Sequence, residues 1–220
     1  MNYKKTIELF AGSQSFTKVA KELNCETFTS DIKDLQGINY VIDILTFDVN
    51  RVPFIPDIIW ASPDCSTWSK AAGSIHFDGK KIIPKTEKAV KSILIIEKTL
   101  QIIFHFLSIN PGLKYYIENP EGKLQKYLQA GTLFGNINRL VVLDQCQYGR
   151  EFKKRTHIFT NDFQWKPRKL CKGKQFCTHK SNIQNSGLKK TSSLGLLDKL
   201  QYYQRAMIPR ELCLEILTVK

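Results

Sequence analysis

The stretch Asp57-Ile58-Ile59-Trp60-Ala61-Ser62-Pro63-Asp64-Cys65-Ser66-Thr67-Trp68-Ser69 decides how the rest of this chain is read. Asp57–Ala61 is a short apolar run of the kind that makes a buried strand. Serine and proline break the run, and Cys65 follows directly. Open α/β sheets bind ligands just beyond the carboxyl ends of their strands, so Cys65 stands where a site belongs. A thiol is also the side chain readiest to act as a nucleophile near neutral pH. Alone, Cys65 reads as a small buried hydrophobe; its sequence neighbours change that balance.

Outward from this run, strands alternate with helices. Thr6–Phe10 is a first strand ending in the turn Ala11-Gly12. Ser15–Leu23 carries Phe16, Val19, Ala20 and Leu23 at helical spacing. Cys25–Ser30 is a second strand, followed by Asp31, and Tyr40–Leu45 a third. Thr86–Ser108 repeats Ala89, Ile93, Ile96, Leu100, Ile103 and Leu107 on one helical face, and Asn110-Pro111-Gly112 stops it. Lys114–Ile117, Leu140–Leu143 and His157–Thr160 complete the strands. The alternation predicts a doubly wound α/β fold, a mostly parallel sheet flanked by helices.

Two segments stand apart. Ser66–Lys85, with Gly, Ser, His and Lys and weak periodicity, reads as a mobile loop over the site. Asn161–Leu194 is rich in Lys, Asn, Ser and Gln and poor in aliphatics, which suggests a small irregular insert. Leu197–Met207 and Arg210–Thr218 read as helices split by Pro209. The expected organisation is one domain made of residues 1–160 and 195–220, interrupted by residues 161–194.

The 220 residues suffice for one sizeable core. No apolar run looks long enough to span a bilayer, and the N-terminus leads into a strand. The expectation is an intracellular, cytoplasmic protein with no membrane partner. Six scattered cysteines then read as thiols rather than disulfides. Cys171-x5-Cys177-x-His179, with Cys146 earlier, offers soft ligands at short spacing, but not in a standard finger pattern. The expectation there is no bound metal. Lys and Arg number 33 against 20 acids, a formal +13. Such an excess suits a polyanion, most simply nucleic acid, unless it serves only solubility.

Several polar residues fall at strand ends. The turn Phe10-Ala11-Gly12-Ser13-Gln14 leads into a helix and suits close approach of a nucleotide-like ligand. Asp31 follows the second strand, where acids that bind ribose hydroxyls are found, and Asp43 ends the third. Glu118, in Ile117-Glu118-Asn119-Pro120, ends the fifth. Lys153-Lys154-Arg155 precedes the last; beside a cysteine and a glutamate, such cations can hold a phosphate or a polarised base.

In this order the motifs resemble the DNA cytosine-5 methyltransferase family. Glu8-Leu9-Phe10-Ala11-Gly12 is similar to its Asp-Leu-Phe-Ala-Gly cofactor turn, and Ser62-Pro63-Asp64-Cys65 to its Pro-Pro-Cys loop. Glu118-Asn119-Pro120 resembles its Glu-Asn-Val. Tyr148-Gly149 through Arg155 resembles its late arginine segment, and Arg205–Pro209 its terminal Gly-Asn-Ala-Val-Pro element. The match spans nearly the whole chain except Asn161–Leu194.

The resemblance implies a Rossmann-like class I S-adenosylmethionine-dependent methyltransferase fold and a cytosine in DNA, flipped out of its duplex, as acceptor. It implies Cys65 as nucleophile, Glu118 as the group on the base edge, and Arg155 on the base carbonyl or the Cys65 loop. The cofactor set is Phe10, Ala11, Gly12, Ser13, Gln14, Asp31, Ile32, Asp43, Ile44 and Pro63. Lys70, Lys80 and Lys81 would clamp phosphates. Three departures stand out: Gln14 and Ser15 replace glycines, Asp64 replaces a proline, and the insert is far smaller than a usual target-recognition domain. Short or relaxed sequence recognition is expected, in a bacterial or phage-infected cell. An RNA cytosine-5 methyltransferase and a catalytically silent DNA-binding regulator remain open alternatives.

Overall fold

A computed structural model describes residues 4–70, 72–78, 82–132, 139–173, 177, 181–182 and 206–219. The main strands are β1 (Lys5–Leu9), β2 (Glu26–Asp31), β3 (Tyr40–Val41), β4 (Ile58–Ala61), β5 (Lys114–Pro120), β6 (Arg139–Asp144) and β8 (Arg155–Thr160). They form one seven-stranded sheet in the order β3-β2-β1-β4-β5-β8-β6. All pairs are parallel except those of β8, which runs antiparallel between β5 and β6. A reversed strand inserted beside the last parallel one is the topology of class I methyltransferases, as expected from the motifs. Strand order reverses between β1 and β4, so a crevice opens beyond their carboxyl ends. The two-residue strands β7 (Phe152–Lys153) and β9 (Ser181–Asn182) pair separately.

Helices α1 (Ser15–Glu22), α2 (Gly73–His76), α3 (Glu87–Ile109), α4 (Leu124–Ala130) and α5 (Arg210–Thr218) lie among the described residues. Two apolar clusters result. One gathers α3 residues such as Ile96, Leu100 and Ile103 against Ile7, Leu9, Ile59 and Ile117. The other gathers Phe16, Val19 and Ala20 of α1 with Trp60, Tyr116, Leu212 and Ile216. Helix α3 is long and apolar enough to cross a bilayer by length and composition. This corrects the sequence reading of no such run; the apolarity is explained by the face α3 buries in the core. Thr86 caps it, its hydroxyl accepting from the Ala89 amide at 3.2 Å.

Three expectations change. The third strand stops at Val41, because the Asp43 carboxylate accepts the Leu45 amide at 3.1 Å and starts a 3-10 turn over Ile44–Thr46. The loop after Cys65 is anchored in its described part: Trp68 is fully buried and stacks on Phe77 at 4.5 Å. Lys80 and Lys81, named there as phosphate clamps, lie outside the described residues. Beyond β8, Asn161–Cys171 runs along the domain. Trp165 is 1% exposed, stacks edge-on against Tyr116 at 5.9 Å and donates to Glu215 of α5 at 2.9 Å. Polar neighbours hid this anchor, because a single aromatic has no periodicity. Most of Leu197–Met207 lies outside the described residues, whereas α5 matches Arg210–Thr218.

Candidate active site

The turn after β1 bends through strained backbone. Phe10 and Gln14 both sit in the left-handed region, at φ 59 and 51, where side chains cost about 1 kcal/mol or more. Gln14 thus adopts a glycine-like conformation without being glycine. Glu8 holds the helix that follows: its buried carboxylate accepts the Thr17 amide at 2.7 Å and the Phe16 amide at 3.4 Å, in place of an ordinary side-chain cap. Burial raises the Glu8 pKa, and those hydrogen bonds only partly oppose it.

Two adjoining cavities run along the strand ends from this turn. One, about 160 Å³, is lined by Phe10, Asp31, Ile32, Asp43, Ile44 and Asp64, among others. The next, about 250 Å³, is lined by Phe10, Gly12, Ser13, Asp31, Ile32, Ser62, Asp64 and Ile208, among others. A Cβ on Gly12 would stand 3.4 Å from Asp31 Oδ2, so the missing side chain leaves that carboxylate room. Ile32, 62% exposed, offers an apolar face beside it. The C-terminal segment closes the groove: the Ile208 amide donates to Ser15 Oγ at 3.1 Å. Of the sequence-named cofactor residues, Ala11 is buried beneath the turn. Gln14 turns away, donating to the Gln36 carbonyl at 2.7 Å. Pro63 is also buried, and its neighbours Ser62 and Asp64 line the groove instead.

Cys65 directly follows Asp64, which lines both cavities. Ala61 pairs with Ile117 in the parallel β4–β5 ladder, which brings the Cys65 loop beside Glu118. Asn119, fully buried, donates from Nδ2 to the Pro63 carbonyl at 3.1 Å and ties the two together. Gly122 fastens the other side: a Cβ there would meet the Trp68 carbonyl oxygen at 2.1 Å, and the Lys123 amide donates to that oxygen at 2.7 Å. Burial and then the Glu118 charge raise the Cys65 pKa; Asp64 adds to this more weakly, and Lys154 opposes it. Asp64 also accepts from the Ser66 amide at 3.2 Å.

Glu118 is 5% exposed and has two close partners. Lys154 Nζ lies 3.3 Å from its Oε1, with both side chains nearly buried, and Gln145 Nε2 lies 3.5 Å from the same oxygen. Gln145 also donates to Thr156 Oγ1 at 3.0 Å. Asn119 Oδ1 and Gln145 Oε1 are buried acceptors without a hydrogen-bond partner among the described residues. Arg155 is turned elsewhere, clasping Asp144 through two bonds of 3.0 and 2.9 Å. The sequence reading expects Arg155 at the base or the Cys65 loop; here its guanidinium meets Asp144. Neighbouring residues project to opposite faces of an extended chain, and Arg155 faces its β6 partner. Gln145 is thus the site residue that sequence reading missed, whereas Lys154 and Asn119 stood in its motifs without an assigned partner. The signal for Gln145, proximity to Glu118, exists only in the folded sheet.

The sulfur atoms of Cys146, Cys171 and Cys177 all lie within 4.8 Å of one another. The Cys171 amide donates to Asp144 at 3.0 Å. His179 lies outside the described residues.

No family model matches the chain. A curated viral protein, the "Probable DNA (cytosine-5)-methyltransferase" of Frog virus 3 (isolate Goorha), is 27% identical over 190 residues, covering 83% of this chain and 82% of that protein. Among solved structures, the Entamoeba histolytica methyltransferase EhMeth aligns with a TM-score of 0.48 at 13% identity, over 79% of this chain and 57% of that one. A variant of Spodoptera frugiperda DNMT2 aligns at 0.44 and 16% identity, over 77% of this chain and 54% of that one. The chain therefore spans little more than half the length of these two solved structures.

Proposed function

We propose that this member of the cytosine-5 methyltransferase family transfers a methyl group from S-adenosylmethionine to C5 of cytosine in DNA, through a transient bond between Cys65 and the base. One observation carries the reading: Asn119 Nδ2 donates to the Pro63 carbonyl at 3.1 Å and so ties the loop that bears Cys65 to the strand that bears Glu118, whose charge reaches the thiol. A nucleophile and a ring-binding acid thus meet beside a nucleoside-sized groove. The groove fits the cofactor, with Asp31 for ribose hydroxyls, Asp43 for an exocyclic amine and Ile32 and Ile44 for a flat ring.

When bound, S-adenosylmethionine supplies an electrophilic methyl group. The protein's own task is to make C5, a poor nucleophile, reactive. The Cys65 thiolate adds to C6, and the ring electrons move toward N3 and C5. Glu118 holds the N3 and N4 edge, and Lys154 and Gln145 hold Glu118 in place. C5 would take the methyl with S-adenosylhomocysteine as the leaving thioether; a base would then accept the C5 proton, and the electron pair would restore the C5–C6 double bond as the C6–S bond breaks and returns the thiolate. C6 of a stacked base is out of reach, so the cytosine is flipped out or single-stranded. The formal +13 favours a polyanionic acceptor.

The raised Cys65 pKa favours one rival, a catalytically silent scaffold that binds nucleic acid. Oligonucleotides carrying 5-fluorocytosine separate the readings, because fluorine at C5 cannot leave as a proton does and the adduct persists. With cofactor, a denaturant-resistant complex is expected on DNA, and none with Cys65→Ala. Trapping on RNA alone would overturn the DNA assignment. Absence of trapping on both, with cofactor binding intact, would leave the silent scaffold.

A further inference from the structure

We propose that Cys146, Cys171 and Cys177 bind one zinc ion, which fastens the segment beyond β8 to the turn that carries Gln145. Cys146 lies in the 3-10 turn Gln145–Tyr148 after β6, and the other two lie beyond β8. Chain separated by 25 or more residues therefore converges on one point. The three sulfur atoms lie within 4.8 Å of one another. Tetrahedral zinc with bonds of about 2.3 Å holds its sulfurs ~3.8 Å apart, so binding needs contraction of about 1 Å or less. A disulfide between any pair needs about 2.05 Å and strands the third sulfur.

The surroundings are arranged like a ligand site. Cys146 and Cys171 are 5% and 6% exposed. Cys146 lies in a 3-10 turn whose Gly149 amide donates to its carbonyl at 3.4 Å, and a glycine at positive φ follows each cysteine, Gly149 at φ 90 and Gly173 at φ 129. The Cys171 backbone is held on both sides, its amide by Asp144 and its carbonyl by Lys153 Nζ at 3.4 Å. Such outer contacts orient metal ligands. Lys153 and Arg155 also bring positive charge to a set of thiolates that would carry one net negative charge around zinc. Zinc would replace the three thiol protons. His179 lies outside the described residues, and the proposal does not need it.

The consequence reaches the acceptor site. Cys146 directly follows Gln145, whose amide touches Glu118 and Thr156. A metal at Cys146 would steady that wall independently of which nucleic acid is methylated.

The full-length chain, produced with zinc and kept reduced, is expected to retain about one zinc per molecule by elemental mass spectrometry. Cys146→Ser, Cys171→Ser and Cys177→Ser should each lose it, while Cys25→Ser keeps it. Cobalt added to the metal-free protein should give thiolate-to-cobalt charge-transfer absorption, absent in the same three variants. Should those variants fail to fold, cysteine footprinting of the wild type still decides. Chelation should raise maleimide labelling of Cys146, Cys171 and Cys177 together while Cys25 and Cys65 stay unchanged. Zinc-free protein that takes up no cobalt, zinc retained by all three folded serine variants, unchanged labelling on chelation, or a disulfide among the three would each overturn the proposal.

Discussion

From β3 to β4, each candidate residue sits in the turn or strand end that its own strand delivers: Asp31 after β2, Phe10 and Gly12 after β1, Cys65 after β4. Beyond β5 the sheet works differently. β8 runs antiparallel, so its beginning rather than its end reaches the site, and which side chain faces Glu118 depends on pairing with β6. On the parallel side, order along the chain predicts position in the site. On the antiparallel side a shift of one residue exchanges Lys154 for Arg155, and with it the partner of Glu118 for the clasp on Asp144.

The largest effect tests the clasp. The Asp144 side chain is fully buried, and Asp144→Ala strips Arg155 and the Cys171 amide of their acceptor, at an expected cost of about 3 kcal/mol in chemical denaturation. Burial alone would raise the Asp144 pKa, but Arg155, the Cys171 amide and Lys153 outweigh it and hold it below its ordinary value. The resulting stabilisation is present above the unfolded carboxyl pKa of about 3.9 and is lost as pH falls through the lower folded value. An acid transition unchanged in Asp144→Asn would remove this contribution.

Next, Lys154→Met should lower methyl transfer by about 10²-fold or more, through loss of the cation that holds Glu118. Arg155→Met should chiefly lower stability and leave turnover per folded molecule within a few fold. The opposite pattern would return the catalytic assignment to Arg155 and dissolve the contrast between the two sides.

On the parallel side, Asp31→Asn should weaken S-adenosylmethionine binding by about 1.5–3 kcal/mol in calorimetry, roughly ten- to a hundredfold. Asp43→Asn should cost less, since Lys91 lies 3.5 Å from its carboxylate and shares it. Equal losses would mean that Lys91 moves aside when cofactor binds.

The smallest effect concerns Asp64. Alkylation of Cys65 should gain rate at higher pH than for an unperturbed thiol, because burial and then Glu118 hold the proton on sulfur. Asp64→Asn should move that profile slightly to lower pH, since Asp64 is exposed and contributes less than either. A shift larger than that in Glu118→Gln would make Asp64 the dominant neighbour.

Much of the parallel half was legible before folding. Short β-prone runs ending in Gly12 and Cys65 mark strand ends because buried parallel strands are mostly apolar and turn polar on leaving the sheet, and Asp31 closes a Thr- and Phe-bearing strand in the same way. Helix α3 was legible for a related reason: its apolar face repeats with the helical period. Trp68, Gly122 and Trp165 were not. Each works through a few contacts with other segments, and such isolated contacts leave no period in the chain.

The amino-acid order alone therefore determined the α/β class, the groove turn and the positions of Cys65 and Glu118, since these depend on local alternation of apolar and polar residues. Tertiary structure alone decided that Lys154 rather than Arg155 meets Glu118, and that three cysteines from distant segments share one point. Strand register and chain crossing set those distances, and neither is encoded within a short window of sequence.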